Sequence, residues 1–471
     1  MRASLGTDAG NDLADMTAAQ LTDGFQDGKF TPREALEAAL ERHDRVNPRI
    51  NAVIFVDRQG ARAAADRATE RWRAGRALSL LDGVPVTVKD NLHVAGMPAT
   101  WGSRIHADFV PSADEPPIAR LRASGAVILG KTNVPEFTLQ GYTGNLLFGT
   151  TRNPLALDRT PGGSTGGGAA AVAAGIGAIA IGTDGGGSTR RPAAYCGLYG
   201  LKPSLGQVPR YGGFPQLLSD FEVIGPMARS TADVAAVLEV MCGYDPSDPR
   251  SAASLGTPPS TQGRPARIGF VSKVGSAPVD PQIADAAERT ARRFTELGFE
   301  VERVAAPYDA GQLAALWTAV AQTGLAWYLS RIEGWRPRVG ANALAMADAG
   351  ASRTAYDYLD ALAGIAEMRV AAGIFFTRFD FMLSPTTAAL AWPADDAYPE
   401  TIAEEPVGPR GHAVFSAWAN LVGAAAANFP VAMTRDEGGI GMQVTAAAGR
   451  ELDLLDIMAK WEADSVLSRE R

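Results

Sequence analysis

The run Ala169–Gly182 (AAAVAAGIGAIAIG) constrains this chain more than any other stretch, because none of its side chains is polar and none is larger than isoleucine. Residues of this kind can only form a tightly packed buried helix and strand. Glycine-wrapped serines flank the run, Ser164 in Gly162-Gly163-Ser164-Thr165-Gly166-Gly167 and Ser188 in Gly185-Gly186-Gly187-Ser188. The expectation is two serines at the ends of one buried hairpin-like unit, brought together by packing. Glycine before serine frees the backbone and leaves the hydroxyl uncovered. Successive glycines also present bare N–H groups on one turn, as an oxyanion hole requires.

Glycine turns have other uses. The stretch contains no G-x-x-x-x-G-K-[ST], and GGSTGG lacks the preceding strand and later acidic residue of a dinucleotide site. From these residues alone, a structural glycine turn and a catalytic one stand level.

Length alone would suit about three domains. No stretch is long or polar enough to act as a linker, however, so the expectation is a single domain over 1–471. Hydrophobic residues are 46% and charged residues 20%, the balance of a compact protein with a large core. A net charge of −8 argues against nucleic acid or an anionic membrane surface as partner. Cys196 and Cys242 are too few for a disulfide framework or a zinc site. With no apolar leader in MRASLGTDAGNDLADM and no transmembrane run, a cytoplasmic, reducing location is expected.

Taken in order, residues 17–45 read as helices, with Thr31-Pro32-Arg33-Glu34 as a capping box. A short strand at Ile50–Ile54 and a helix from about 60 to 76 follow. Leu81–Asn91 (LDGVPVTVKDN) reads as an apolar strand ending in Lys89. On its own such a lysine would be expected to snorkel to solvent. Further on come helix Ile118–Ser124, strand Ala126–Gly130, strand Ala266–Val271, a helix from Asp280-Pro281 to Leu297 and strand Phe299–Val304. Residues 311–381 are helical and aromatic, a stripe that more often means core than ligand box. Residues 394–410 are acidic and aperiodic, a long surface loop and candidate lid. Of four histidines, His43, His93, His106 and His412, none stands in a nucleophile–base motif, so a Ser-His-Asp triad is unsupported.

The central stretch resembles the signature of the amidase-signature family of serine hydrolases, roughly GGSSGGS…GTDxGGSxRxP…CGxxGLKP. Gly162, Gly163, Ser164, Gly166, Gly167, Gly182, Thr183, Asp184, Gly186, Gly187, Ser188, Arg190, Pro192, Cys196, Gly197, Gly200, Leu201, Lys202 and Pro203 meet its fixed positions. Leu81–Asn91 is similar to the family's GVPxxVKD and Lys131–Phe137 to its GKTNxxEF. The likeness covers about residues 17–463: N-terminal helices at about 17–76, a catalytic core at about 81–233, a variable helical channel region at about 305–410, and closing strands with a terminal helix at about 411–463. It implies an α/β fold, one α/β/α sandwich whose central mixed sheet is covered by helices on both faces.

The resemblance also implies a mechanism without metal or organic cofactor. Ser188 would be the nucleophile, Ser164, after a cis peptide bond to Gly163, the bridging hydroxyl, and a buried Lys89 the neutral base. Gly185, Gly186 and Gly187 would form the oxyanion hole, and Asp184, Arg190 and Thr165 the supporting loop. Thr138, Leu139, Gln140 and Gly163 would border substrate, and Asp220–Asp233 would pack behind the site. Cys196 is expected to be a buried structural thiol. The chain departs from the pattern at Thr165, Gly168, Gly185 and Thr189-Arg190-Arg191. Small residues at 168, 185 and 187 beside an aromatic region suggest room for an aryl amide, or for a carbamate. The expected partner is that small molecule, with neither nucleic acid nor membrane, and with a homodimer as an allowed assembly. A glutamine-hydrolysing subunit of an aminoacyl-tRNA amidotransferase, a fatty-amide or urea-type amidase and a catalytically silent interaction protein are the competing readings.

Overall fold

The computed structural model describes residues 12–255, 265–434 and 436–469. Most of the N-terminal stretch read above for a leader, residues 1–11, lies outside them. Eleven strands form one mixed sheet. In chain order they are β1 (Val53–Val56), β2 (Pro85–Lys89), β3 (Val127–Thr132), β4 (Ile179–Asp184), β5 (Tyr199–Lys202), β6 (Val223–Ala228), β7 (Arg267–Phe270), β8 (Glu300–Arg303), β9 (Phe381–Pro385), β10 (Ala425–Met433) and β11 (Gly439–Ala446). Across the sheet they run β1-β3-β2-β4-β6-β5-β10-β11-β9-β7-β8. β2 lies parallel to both β3 and β4, and β4 runs antiparallel to β6.

Strands buried on both faces need helices on both. Val86, Val88, Ile179 and Ile181 point into a core closed by the helices Ala18–Gln26, Pro116–Ala123, Thr231–Met241, Pro281–Glu296 and Glu451–Arg469. Ala180 and Met227 face the other way, against the helices Gly166–Ala173 and Arg190–Tyr195. Val127 and Leu129 meet the helices Pro32–Ile50 and Arg58–Arg73 on that second side. The α/β sandwich expected from the sequence is the observed one.

Local expectations hold with shifts that have causes. Both partners of the Thr31–Glu34 capping box are in place. The helix behind it runs to Ile50, through Pro48, so Ile50 is not in a strand. Asn51 ends it in a left-handed conformation, while Asn47 Oδ1 accepts from the Ala52 and Val53 N–H groups and delays the strand. The aromatic 311–381 region is three α-helices, Ala310–Leu329, Ala341–Ala351 and Ala355–Arg378, with a short 3-10 turn at Arg336–Arg338. Trp317, Tyr328, Phe375, Phe379 and Phe381 are buried, and Trp327 is exposed. The 394–410 segment is not aperiodic: Thr401–Ile402 and Glu405–Pro406 pair as a hairpin, with Ile402 buried and Asp395 held by Arg152.

The helix Gly166–Ala173 can sit so close because it has almost no side chains on its inner face. A Cβ on Gly167 would lie 2.5 Å from both the nitrogen and the oxygen of Asn133. Helix propensity alone would reward Gly167→Ala by about 1 kcal/mol. We expect a loss of about 1–3 kcal/mol instead, because the backbone of Asn133 cannot move aside. A chemical-denaturation midpoint equal to or above wild type would contradict this close docking.

Candidate active site

Lys89 ends β2 one residue past the last β2–β4 pair, Val88–Ile181. Its side chain is fully buried. Nζ stands 2.8 Å from Ser164 Oγ, 2.8 Å from Thr183 Oγ1 and 3.1 Å from the Thr183 carbonyl. Burial pushes its pKa from the usual value down to about 7, against the upward pull of Glu222 and Asp184 and with help from Arg210 and Arg191. A neutral amine has two N–H groups and one lone pair. The Thr183 carbonyl can only accept. Thr183 Oγ1 accepts as well, since its own proton is drawn to Glu222. That leaves the lone pair of Lys89 facing the Ser164 hydroxyl.

An ion pair behind this lysine was not visible in the sequence. Arg210 Nη1 meets Glu222 Oε2 at 2.8 Å, and Asn91 Nδ2 donates to Glu222 Oε1 at 3.2 Å. Burial alone would raise the Glu222 carboxyl, but Arg210 and Lys89 hold it below the ordinary value. The segment 220–233 does pack behind the lysine, through Glu222 and β6.

The two serine turns lie side by side. The Gly163–Ser164 peptide bond is cis. The Thr165 N–H donates to the Ser188 carbonyl at 3.1 Å, and Thr165 Oγ1 donates to the Thr183 carbonyl at 3.1 Å. Exposure falls from 6% at Ser188 to 1% at Ser164 and 0% at Lys89. Of these three side chains, Ser188 is the most exposed.

Asp184 organises the turn before Ser188. Its carboxylate accepts from the Gly187 and Thr189 N–H groups at 2.7 and 3.1 Å and from both Arg190 Nε and Nη2 at 3.0 Å. Burial would raise this carboxyl, but Arg190, Lys202 and the Gly187 N–H hold it well below the usual range. Arg190 continues to Asn420 and Gln443, fixing the turn to the C-terminal part of the chain. One expectation needs correcting here. The Gly187 N–H is committed to Asp184, whereas no acceptor among the described residues takes those of Gly185, Gly186 or Ser188.

The glycines of this turn are not roomy either. An added Cβ would meet Leu218 at 2.4 Å from Gly185, Trp317 Nε1 at 2.8 Å from Gly186 and Ser416 Oγ at 2.3 Å from Gly187. At Gly168 it would meet Ala180 at 3.0 Å, inside the core. These glycines admit neighbouring side chains, not a larger ligand.

The four residues expected to border substrate divide. Leu139 and Gln140 line a cavity of about 300 Å³ with Tyr142, Leu325, Ala343 and Met346. Thr138 turns inward, where its hydroxyl bonds the Phe137 carbonyl and accepts from Trp101 Nε1. Gly163 is where that loop meets the serine turn, a Cβ there lying 2.2 Å from the Tyr142 carbonyl. Cys196 is buried, with its Sγ no closer than 3.9 Å to Asn153 Oδ1 and the Pro161 carbonyl. Burial pushes the thiol far up, and no base among the described residues acts on it.

Asp184→Asn removes the charge that balances Arg190. Breaking such a buried pair costs about 3–5 kcal/mol. We expect a matching drop in denaturation midpoint and slower labelling of Ser188 by a fluorophosphonate. Wild-type stability together with a wild-type labelling rate would show that the turn does not rely on this carboxylate.

The amidase family model matches residues 34–455 of this chain. A glutamyl-tRNA(Gln) amidotransferase subunit from Acidothermus cellulolyticus is 33% identical over 494 residues, covering 96% of this chain and 95% of that protein. A protein of the same name from Cyanothece sp. is 38% identical over 284 residues, 58% of each chain. Among solved structures, a bacterial aryl acylamidase of the amidase signature enzymes superposes with a TM-score of 0.87 at 28% identity, over 96% of this chain and 97% of that one. Among the described residues, no helix is long and apolar enough to cross a membrane. The match from Glu34 to Leu455, with a relative alignable over nearly its full length, makes this chain a member of the amidase signature family, hydrolases of amide C–N bonds.

Proposed function

We propose that the chain hydrolyses linear amides through Ser188, Ser164 and Lys89, with an acyl-enzyme on Ser188. The observation that carries this reading is the buried amine 2.8 Å from Ser164 Oγ; once neutral, that amine can take the proton of this hydroxyl. Ser188 attacks the carbonyl carbon; its proton passes to Ser164 as that of Ser164 passes to Lys89. The oxyanion forms against the N–H groups of Gly185, Gly186 and Ser188, each donor contributing roughly 2.7–4 kcal/mol. On collapse the C–N bond breaks, and Lys89 returns the proton through Ser164 to the leaving nitrogen. Water then cleaves the ester by the same relay in reverse.

The leaving amine is assigned to the cavity whose apolar part, Leu139, Tyr142, Leu325 and Met346, suits an aryl ring, beside the polar Glu136, Gln140, Asn342 and Asp395. Likeness in structure to an aryl acylamidase supports the same choice. A carbamate R–O–CO–NH–Ar presents the same aryl nitrogen, and its acyl-enzyme would be a carbonate ester that water releases as the alcohol and carbon dioxide. A second reading, glutamine hydrolysis within a tRNA amidotransferase, is favoured by the names of the relatives at 33–38% identity.

Two measurements test these readings. Since Lys89 acts as the neutral amine, kcat/KM should rise with pH through an apparent pKa near 7, well below the free-lysine value. Lys89→Ala should fold and lose most turnover; near-normal turnover would take the lysine out of the mechanism. In a second assay, amine release is compared among acetanilide, ethyl N-phenylcarbamate, oleamide and glutamine. The two aryl compounds should lead, whereas a preference for glutamine or oleamide would reject the aryl assignment and keep the Ser-Ser-Lys relay.

A further inference from the structure

A second cationic cluster lies against the reacting turn, and the mechanism above leaves it unused. Arg191 is 1% exposed, and its Nη2 donates to the Gly163 carbonyl at 3.2 Å. Its Nε and Nη1 are buried with no partner. The side chain runs beside Gly187, with Cγ 3.2 Å from where a Cβ on that glycine would be. Arg410, half-buried at the end of the 394–410 segment, lays its guanidinium 3.7 Å above the centre of the Trp317 ring. Its Nη2 reaches within 3.1 Å of the corresponding position on Gly186. His412 is buried nearby with both ring nitrogens unpartnered.

No acid among the described residues forms an ion pair with Arg191 or Arg410. The carboxylate that acts on Arg191 is Asp184, whose oxygens are already taken by Arg190, Gly187, Thr189 and Asn420. Burial weakens all three groups as cations, with added repulsion from Arg190 on Arg191, from Arg191 on Arg410 and from both Arg191 and Arg410 on His412: Arg191 falls to about 10, while Arg410 and His412 fall well below their ordinary values. Unpaired buried guanidinium is costly and is relieved by an anion that can take two N–H groups at once.

We propose that Arg191, Arg410 and His412 receive a carboxylate on the acyl side of the substrate, so that the enzyme acts on monoamides of dicarboxylic acids. The inference rests on the amide-hydrolase reading and names its substrate class. The acyl side is chosen because the cluster flanks Gly186 and Gly187, next to the carbonyl-binding turn. The apolar cavity at Leu139 and Met346 is left for the amine. An α-amino acid such as glutamine would bring an ammonium beside the guanidinium of Arg191, with which no acid among the described residues pairs. Arg191 is also the residue at which this chain departs from the apolar position of the family pattern.

The test uses the 4-nitroanilides of oxalic, malonic, succinic and glutaric acid, each paired with its methyl ester, and follows release of 4-nitroaniline. At least one free acid should exceed its own ester in kcat/KM by about tenfold or more. Arg410→Met and Arg191→Met should each bring that ratio close to one; Arg410, being half-buried, serves if the Arg191 variant fails to fold. Parity of every acid with its ester, while a fluorophosphonate still labels Ser188, would overturn the carboxylate site and leave the amide hydrolase intact. A carboxylate preference seen only on the amine side, as 4-acetamidobenzoate over its methyl ester, would overturn the acyl-side assignment. Absence of both labelling and anilide cleavage would overturn the two readings together.

Discussion

The site depends on one amine held where an amine is least stable as a cation. Lys89 leaves the end of a strand flanked on both sides by parallel neighbours, so its stem cannot reach water. Its partners are neutral: a serine hydroxyl, a threonine hydroxyl and a backbone carbonyl. Glu222 would neutralise a charged lysine if it touched it, but Asn91 and Arg210 hold that carboxylate. The fold thus keeps the acid close enough to tune the amine and too occupied to pair with it. A direct ion pair would raise the lysine pKa and fill its lone pair with a proton.

Everything between the lysine and the substrate is then a problem of close approach. The helix Gly166–Ala173 must lie nearly on the sheet for Ser164 to meet Nζ, and Gly182 in β4 gives way to Thr165, whose side chain would sit 2.4 Å from an added Cβ. Thr165 in turn ties the serine turns together through its N–H and hydroxyl. The turn before Ser188 is fixed from further away. Arg190 connects Asp184 to Asn420 and to Gln443 on β11, and Asn420 donates back to the Asp184 carbonyl at 2.7 Å. The closing strands therefore hold the reacting turn as well as the sheet edge.

What was legible in the sequence follows from how local each constraint is. The Ala169–Gly182 run announced its packing because small apolar residues leave no other option, and the capping box at Thr31 is complete within four residues. The lysine was ambiguous: a Val-rich strand ending in lysine looks the same whether the chain beyond it covers the side chain or not. Arg210 and Asn420 were illegible as site residues, and Asn91 and Glu222, although inside segments expected near the site, carried no sign that they would meet each other behind the lysine. The glycines misled in the opposite direction. Read as open space at 185 and 187, they turn out to be contact points for Leu218 and Ser416, since a missing Cβ can admit a neighbour as readily as a ligand.

Charge balance separates the two halves of the site. Around Lys89 two buried guanidinium groups each have a buried acid, Glu222 for Arg210 and Asp184 for Arg190. On the far side of the turn, Arg191 and Arg410 have none among the described residues, although an unpaired buried charge lowers stability and an apolar residue at 191 would avoid the cost. A fold that balances charge on one side of a turn and leaves it open on the other has strain at a place where ligand binding can remove it. The net charge of −8 does not oppose this. Surface charges are screened within a Debye length of about 8 Å at physiological salt, whereas buried guanidinium groups in contact with a bound group are not. Attraction of an anion is therefore decided inside the cleft, whatever the sign of the surface around it.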